Sequence, residues 1–261
     1  MEDRFDSAFQ KIKRARKHVD DLEAEVDTFL SCGPCRIDEV GPSASAAVRY
    51  KVASIDKLPA MIPLMVGDAA HNIRSALDHF AFAAVPNPGR NTYFPIWGKP
   101  NAPSPTEWQR TVDLKLLGAS RSLLHAVQQL ELWETGDHSH MWALHELDRI
   151  DKHRLLISLA AANNLIILEG EGYDYETIKK YSGYAQDRPL AMEPMRWIPL
   201  KEGTILFDAE GFTDFGITGA KFSLAVTLGE PNILRGQVAV SQLRGLATAA
   251  ENLIASLAML A

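Results

Sequence analysis

Residues 67 to 80 read GDAAHNIRSALDHF. These positions hold two His, two Asp, an Arg, an Asn and a Ser, with apolar residues recurring between them every three or four places. At 100° per residue Val66, Ala70, Ile73, Leu77, Phe80 and Ala84 fall on one face, the pattern of a helix that buries one side. Asp68, His71, Ser75, Asp78 and His79 stand opposite, with Asn72 and Arg74 on the flanks. A face turned to water normally carries Lys, Glu and Gln, which favour helix and keep their rotamer freedom. Residues 58 to 98 contain neither Lys nor Glu. Short, poor helix formers replace them, so the polar stripe is expected to be held by partners. The helix itself is predicted to begin near Leu58 to Pro63, where proline fits the first turn, and to end about Ala84.

The partner is expected in HELDRIDKHR, residues 145 to 154. Trp142, Leu144, Leu147, Ile150, Leu155, Leu156 and Ile157 surround the axis of a helix predicted over 138–161, which marks it as buried on most sides. His145, Asp148 and Lys152 share a narrow stripe on it. Charges on a buried helix need partners, so the two clusters are expected to satisfy each other. One reading of them is therefore structural, an ion-pair and hydrogen-bond network that includes Arg74 with Asp78 at i,i+4.

Working outward, Phe5, Phe9, Ile12, Ala15, Val19, Leu22, Val26 and Phe29 write an amphipathic helix over 4–30. Lys11, Lys13, Arg14, Arg16 and Lys17 on it read as a solvated face. Cys32-Gly33-Pro34-Cys35 has the CGPC spacing of thioredoxin redox sites, but it follows a helix and precedes a strand. The order is reversed, so Gly33-Pro34 reads as a helix stop and turn. RIDEV and AAVRYKVASI around Gly41-Pro42-Ser43 predict a β-hairpin over 36–55. Residues 86 to 105 form a long loop, either anchored in the core by Phe94 and Ile96 or closing over a small ligand with Tyr93, Phe94 and Trp97. Ser104-Pro105-Thr106-Glu107 is a capping box that starts a short helix. A helix follows over 118–133. Beyond 162, NLIILEGEGYDY, WIPLKEGTILFDAE and KFSLAVTLGE predict antiparallel strands. Ser241 caps a closing helix with Leu243, Leu246, Leu253, Leu257 and Leu260 inward.

These elements give an α+β fold: a helical bundle with an added β-hairpin, a small antiparallel sheet and a closing C-terminal helix. The expected division is 1–162 for the bundle carrying the polar site and 163–261 for the sheet and last helix, packed as one unit with the first. The chain has 261 residues, 46% hydrophobic and 23% charged, enough for a sizeable core. No run of eighteen apolar residues occurs and the charge begins at residue 2, so neither a membrane span nor a secretory signal is expected, and the setting reads as cytoplasmic. A net charge of −6 argues against broad duplex DNA binding.

Together, GDAAHNIRSALDHF, YFPIW and LHELDRIDKHRLL resemble a widespread uncharacterised bacterial family that shares G-D-x-x-H-N-x-R-S-A-L-D-H and D-K-H-R over about residues 60 to 160. That likeness implies no activity. Arg74 to His79 is also similar to the R-x-x-x-x-H motif of HEPN domains, helical bundles that cut RNA without metal and pair two motif copies across a homodimer. This resemblance implies a metal-independent endoribonuclease in which Arg74 holds the scissile phosphate and His79 is general acid and base. His71, Asn72, Asp78, Asp151, Lys152, His153 and Arg154 would support them. No cofactor is then needed. An alternative uses Asp68-x-x-His71 and His145-x-x-Asp148, reversed pairs that antiparallel packing would join into a zinc, manganese or iron shell for metal-dependent hydrolysis. A non-enzymatic ligand-binding or structural bundle is the third reading.

Overall fold

A computed structural model describes residues 4–40, 49–99, 101–151, 157–162, 197–208 and 223–261. By contact the chain forms two compact units. The first takes Met1–Asp27, Pro59–Ile157 and Leu228–Ala261, and the second takes Thr28–Leu58 and Ser158–Thr227. This differs from a cut after residue 162, because the hairpin pairs with a strand from the sheet region and the last helix packs into the bundle.

In the first unit the helices are α1 (Asp6–Ser31), α2 (Met61–Ala84), α3 (Pro105–Lys115), α4 (Arg121–Gln128), α5 (Ser139–Asp151) and α6 (Ala239–Ala258). The central element is α2, packed against α5 and α6. Its apolar face is as the sequence predicts: Val66, Ala70, Ile73, Leu77, Phe80 and Ala84 are all buried. Phe80 also meets the ring of Phe5 at 5.2 Å between centroids. Ala8, Ile12, Ala15, Val19, Leu22 and Val26 form the buried stripe of α1. Its opposite edge is tied to α6 by Arg16 with Glu251 at 2.6 Å and by Arg244 with Glu23 and Asp20.

Local signals set most helix boundaries. Ser104 and Glu107 make the expected reciprocal capping box at α3. A helix over 118–133 shortens to α4 because Ser120 caps it by accepting from the Leu123 N–H, two residues after Gly118 at φ +92°. Beyond Gln128 the chain turns, and Leu132 is buried from that turn. In α6 the first helical residue is Ala239, and Ser241 bonds the carbonyl of Val238 within the first turn rather than capping. Leu243, Leu246, Ala250, Ile254 and Leu257 form its inward stripe, while Leu260 is exposed.

The expected helix over 138–161 is corrected at its end: Ile157–Ala162 is strand β3. An alanine-rich run with a few large apolar residues fits either structure, and pairing with β4 (Trp197–Pro199) decides it against helix propensity.

The second unit holds two three-stranded sheets among the described residues, ordered β1-β2-β5 and β4-β3-β6. Strands β1 (Cys35–Val40) and β2 (Arg49–Ile55) pair antiparallel as the predicted hairpin, and β5 (Ile205–Asp208) adds to β2. The segment 197–208 thus holds two strands, serving different sheets. Strand β6 is Ser223–Leu228. Val52, Leu200 and Leu206 form this unit's core with Cys35, Ile37, Ile55 and Leu224 against it. Cys32 and Cys35 are free, and Gly33 at φ +68° makes the turn between helix and strand. The predicted strand NLIILEGEGYDY lies outside the described residues. Among the described residues no helix is long and apolar enough to cross a membrane.

Candidate functional site

Arg74 is the most constrained polar residue of α2. Its side chain is 7% exposed, and each guanidinium nitrogen has a partner. Nη1 donates to Asp78 Oδ1 at 2.6 Å, Nη2 to the carbonyl of Phe94 at 3.0 Å, and Nε to His145 Nδ1 at 3.4 Å. Asp78 Oδ1 also accepts from the backbone N–H of Phe94 at 2.9 Å. Both polar backbone groups of Phe94 are therefore gripped by one turn of α2, and its ring is fully buried beside Phe80. Arg74 and Asp78 fasten the 85–104 loop to the bundle.

The rest of that loop is anchored as well. The Trp97 N–H bonds the Leu132 carbonyl at 3.0 Å, its indole bonds the Asn101 carbonyl at 2.7 Å, and Tyr93 lies under Lys115. Pro95 is buried beside Phe94, and Ile96 is half-buried. The Phe94 ring is buried as the core-anchor reading of the loop expects.

His145 sits deep on α5. Arg Nε–H can only donate, so Nδ1 accepts and the ring proton belongs on Nε2, which faces Gly98. Burial, and then the positive charge of Arg74, hold this imidazole below its ordinary pKa; Glu146, Asp148 and Asp78 act in the opposite sense. A cation against the ring and a proton held below its usual range make His145 a neutral acceptor in the clamp.

His71 has a different setting. Its side chain is 56% exposed, but Nδ1 meets Oδ1 of Asp148, itself 12% exposed, at 2.8 Å. A carboxylate only accepts, so His71 Nδ1–H donates and Nε2 is left as the working nitrogen. The Ser75 hydroxyl lies 3.3 Å from that Nε2, one helical turn along. Asp148, His71 and Ser75 thus form a chain of carboxylate, imidazole and hydroxyl that opens toward solvent. The i,i+4 spacing of His71 and Ser75 was visible in the sequence; the alignment of Asp148 was visible only as an expected pairing of two clusters.

The other candidates divide plainly. His79 is exposed while Arg74 turns inward, so the two motif residues do not converge on one point. At i,i+5 they stand about 140° apart around the helix. Asn72 donates to the Asp68 carbonyl at 2.8 Å. Asp151 presses its carboxylate over Gly67, where an added Cβ would run into Oδ2. That close approach explains the glycine within α2. Lys152, His153 and Arg154 lie outside the described residues. Asp68, His71, His145 and Asp148 do not assemble: His71 takes Asp148 and His145 takes Arg74. Among the described residues no group of three or more His, Cys, Asp or Glu could hold a metal ion.

One feature outside the expected stripe adjoins it. A hollow of about 720 Å³ beside α1 is lined by Arg4, Asp6, Ser7, Gln10, Lys11, Arg14 and, from α2, Asn72. Comparison with family models, curated proteins and solved structures finds no match to this chain.

Proposed function

We propose that this chain is a metal-independent endoribonuclease in which His71, rather than His79, moves the proton. The observation that carries the reading is the 2.8 Å bond from buried Asp148 to the inner nitrogen of an outward-facing imidazole. Such a carboxylate fixes tautomer and ring orientation and stabilises the imidazolium once it forms. His71 Nε2 takes the proton of an RNA 2′-hydroxyl as its oxygen attacks phosphorus. The bond to the 5′-oxygen breaks, a 2′,3′-cyclic phosphate results, and the departing oxygen recovers a proton from the imidazolium. Arg74 acts as a positioning residue that fastens α2 to the loop and to His145, not as a phosphate holder.

The homodimer expected from the HEPN resemblance has support in the surface of α2. Leu64 and Phe82 are each 53% exposed at opposite ends of the stripe. An antiparallel copy of the same helix would set Leu64 against Phe82 and His71 against Ser75, a self-complementary register of the kind a two-fold interface requires. The reading keeps the cytoplasmic setting.

A second reading is favoured by one observation, the 3.3 Å separation of Ser75 Oγ and His71 Nε2. Here Ser75 is the nucleophile of an acyl-transfer hydrolase, activated by His71 and Asp148. The two readings part at Ser75. Single-stranded RNA and 4-nitrophenyl acetate are offered in EDTA to the wild type and to Ser75→Ala and Asp148→Asn. RNA cleavage that survives Ser75→Ala and falls in Asp148→Asn supports the first reading. Ester turnover lost in both variants, with intact RNA, supports the second. Inert wild type toward both substrates sinks the enzyme readings and leaves a structural bundle.

A further inference from the structure

Three cations of the hollow beside α1 lack the partners their neighbours have. Arg16 pairs with Glu251 and Lys17 with Asp21 on the same helix, and Arg244 is held by Glu23 and Asp20 across it. Arg4, Lys11 and Arg14 form no ion pair among the described residues, Arg4 lying instead over the Phe5 ring at 4.6 Å, although the chain as a whole carries a net charge of −6. Ser7, Lys11 and Arg14 recur at i, i+4 and i+7, so they stack on one side of α1, and Arg4 extends the row from the preceding turn. The row borders a concavity rather than a convex face. Gln10 and Asn72 contribute amide groups to it, and Asp6 contributes one carboxylate.

From this arrangement we propose that the hollow binds the phosphodiester backbone of single-stranded nucleic acid, as a holding site beside the His71 stripe. Three positive charges against one negative leave a net attraction for anions, and amide donors suit phosphate oxygens. Ser7 to Arg14 covers about 10 Å of helix axis, room for neighbouring phosphates and not for a duplex face. Asn72 joins the hollow to the stripe, because it lines the hollow and directly follows His71. A strand held there runs onto the candidate catalytic stripe. No group of the hollow addresses the sugar: the row reads charge. The site should therefore hold single-stranded DNA as well as RNA, while only RNA supplies the 2′-hydroxyl the proposed chemistry consumes. The inference rests on the endoribonuclease reading for its purpose but not for its test.

The experiment is fluorescence anisotropy with labelled oligothymidine and 2′-O-methyl oligouridine, about ten nucleotides each, in EDTA over a salt series. Three phosphate contacts to a single strand give a slope near −2 in log affinity against log salt, about fifteen-fold weaker binding from 50 to 200 mM. Both oligomers should bind comparably, and oligothymidine should inhibit RNA cleavage without being cut. Arg4→Ala/Lys11→Ala/Arg14→Ala should weaken binding at least tenfold and flatten the slope, and Arg14→Glu alone should do the same in milder form. Arg4, Ser7 and Arg14 are exposed and Lys11 is partly exposed, so an unchanged melting temperature verifies the variants' folding. Oligothymidine binding without any RNA cleavage sustains the hollow and sinks the nuclease reading. RNA cleavage with unchanged KM in the triple variant, salt-insensitive binding, or equal retention of phosphatidylserine vesicles overturns the hollow.

Discussion

Arg74 donates to the carbonyl oxygen of Phe94 at 3.0 Å, from twenty residues earlier in the chain. Asp78 accepts from the N–H of the same residue, so the two charged side chains of the RSALDH segment hold the backbone of Phe94 at both its N–H and its carbonyl. The pair leads to a stability effect. Arg74→Ala leaves Asp78 without its cation and a buried carbonyl without a donor, and should lower unfolding free energy by about 3 kcal/mol. Arg74→Lys cannot serve three partners with a point charge and should recover less than half of that. Urea denaturation measures both; a loss under about 1 kcal/mol for Arg74→Ala would show that the clamp is incidental.

The ring that this clamp delivers should matter as much as the clamp. Phe94 is fully buried against Phe80. Phe94→Ala is expected to cost about 3–5 kcal/mol through lost burial and the cavity left behind. If the loop were a mobile lid, truncation there would leave the melting temperature nearly unchanged.

Gly67 makes a prediction opposite in sign to helix propensity. Glycine to alanine inside a helix ordinarily stabilises by about 0.5–1 kcal/mol. Here the added Cβ would meet the Asp151 carboxylate. Gly67→Ala should destabilise by about 1–3 kcal/mol. The cost should shrink when Asp151→Ala is added, a coupling that a double-mutant cycle reads directly.

His145 sets a pH dependence. Its imidazole is held below the ordinary value by burial and then by Arg74, with Glu146, Asp148 and Asp78 opposing. Such a base binds fewer protons folded than unfolded, so stability is complete above the unfolded histidine pKa of about 6.5 and declines as pH falls below it. The decline levels off once the folded pKa is passed. His140 acts in the same direction, through burial and then His138. Melting temperatures between pH 7.5 and 5 should drop in the wild type and drop less in His145→Gln, whose amide oxygen can still accept from Arg74. Equal curves for the two proteins would remove His145 as a contributor.

Much of this was legible in the sequence where the signal is local. The 3.6-residue period gave α1 and the buried face of α2, and the Ser104 to Glu107 box placed the start of α3. The mutual satisfaction of the 67–80 and 145–154 clusters also followed, because buried charge demands partners. What escaped depends on distant pairing. Ile157–Ala162 reads as helix until β4 claims it, and nothing local assigns Ile205–Asp208 to the hairpin's sheet. In the site, the motif spacing put Arg74 and His79 together as a catalytic pair. Periodicity could not tell which flank of the stripe turns inward, since Arg74 lies at the border of the apolar face and the Phe94 peptide that captures it is remote in sequence. The bond that sets the His71 ring comes from the neighbour across the helix interface, Asp148.

The most direct test sets two histidines of one helix against each other. RNA cleavage in EDTA is measured for His71→Gln and His79→Gln beside the wild type. His71→Gln should lose about a hundredfold or more, the scale of a missing general acid or base, and His79→Gln should leave the rate unchanged. A rate that collapses in His79→Gln and persists in His71→Gln would contradict the role proposed for His71.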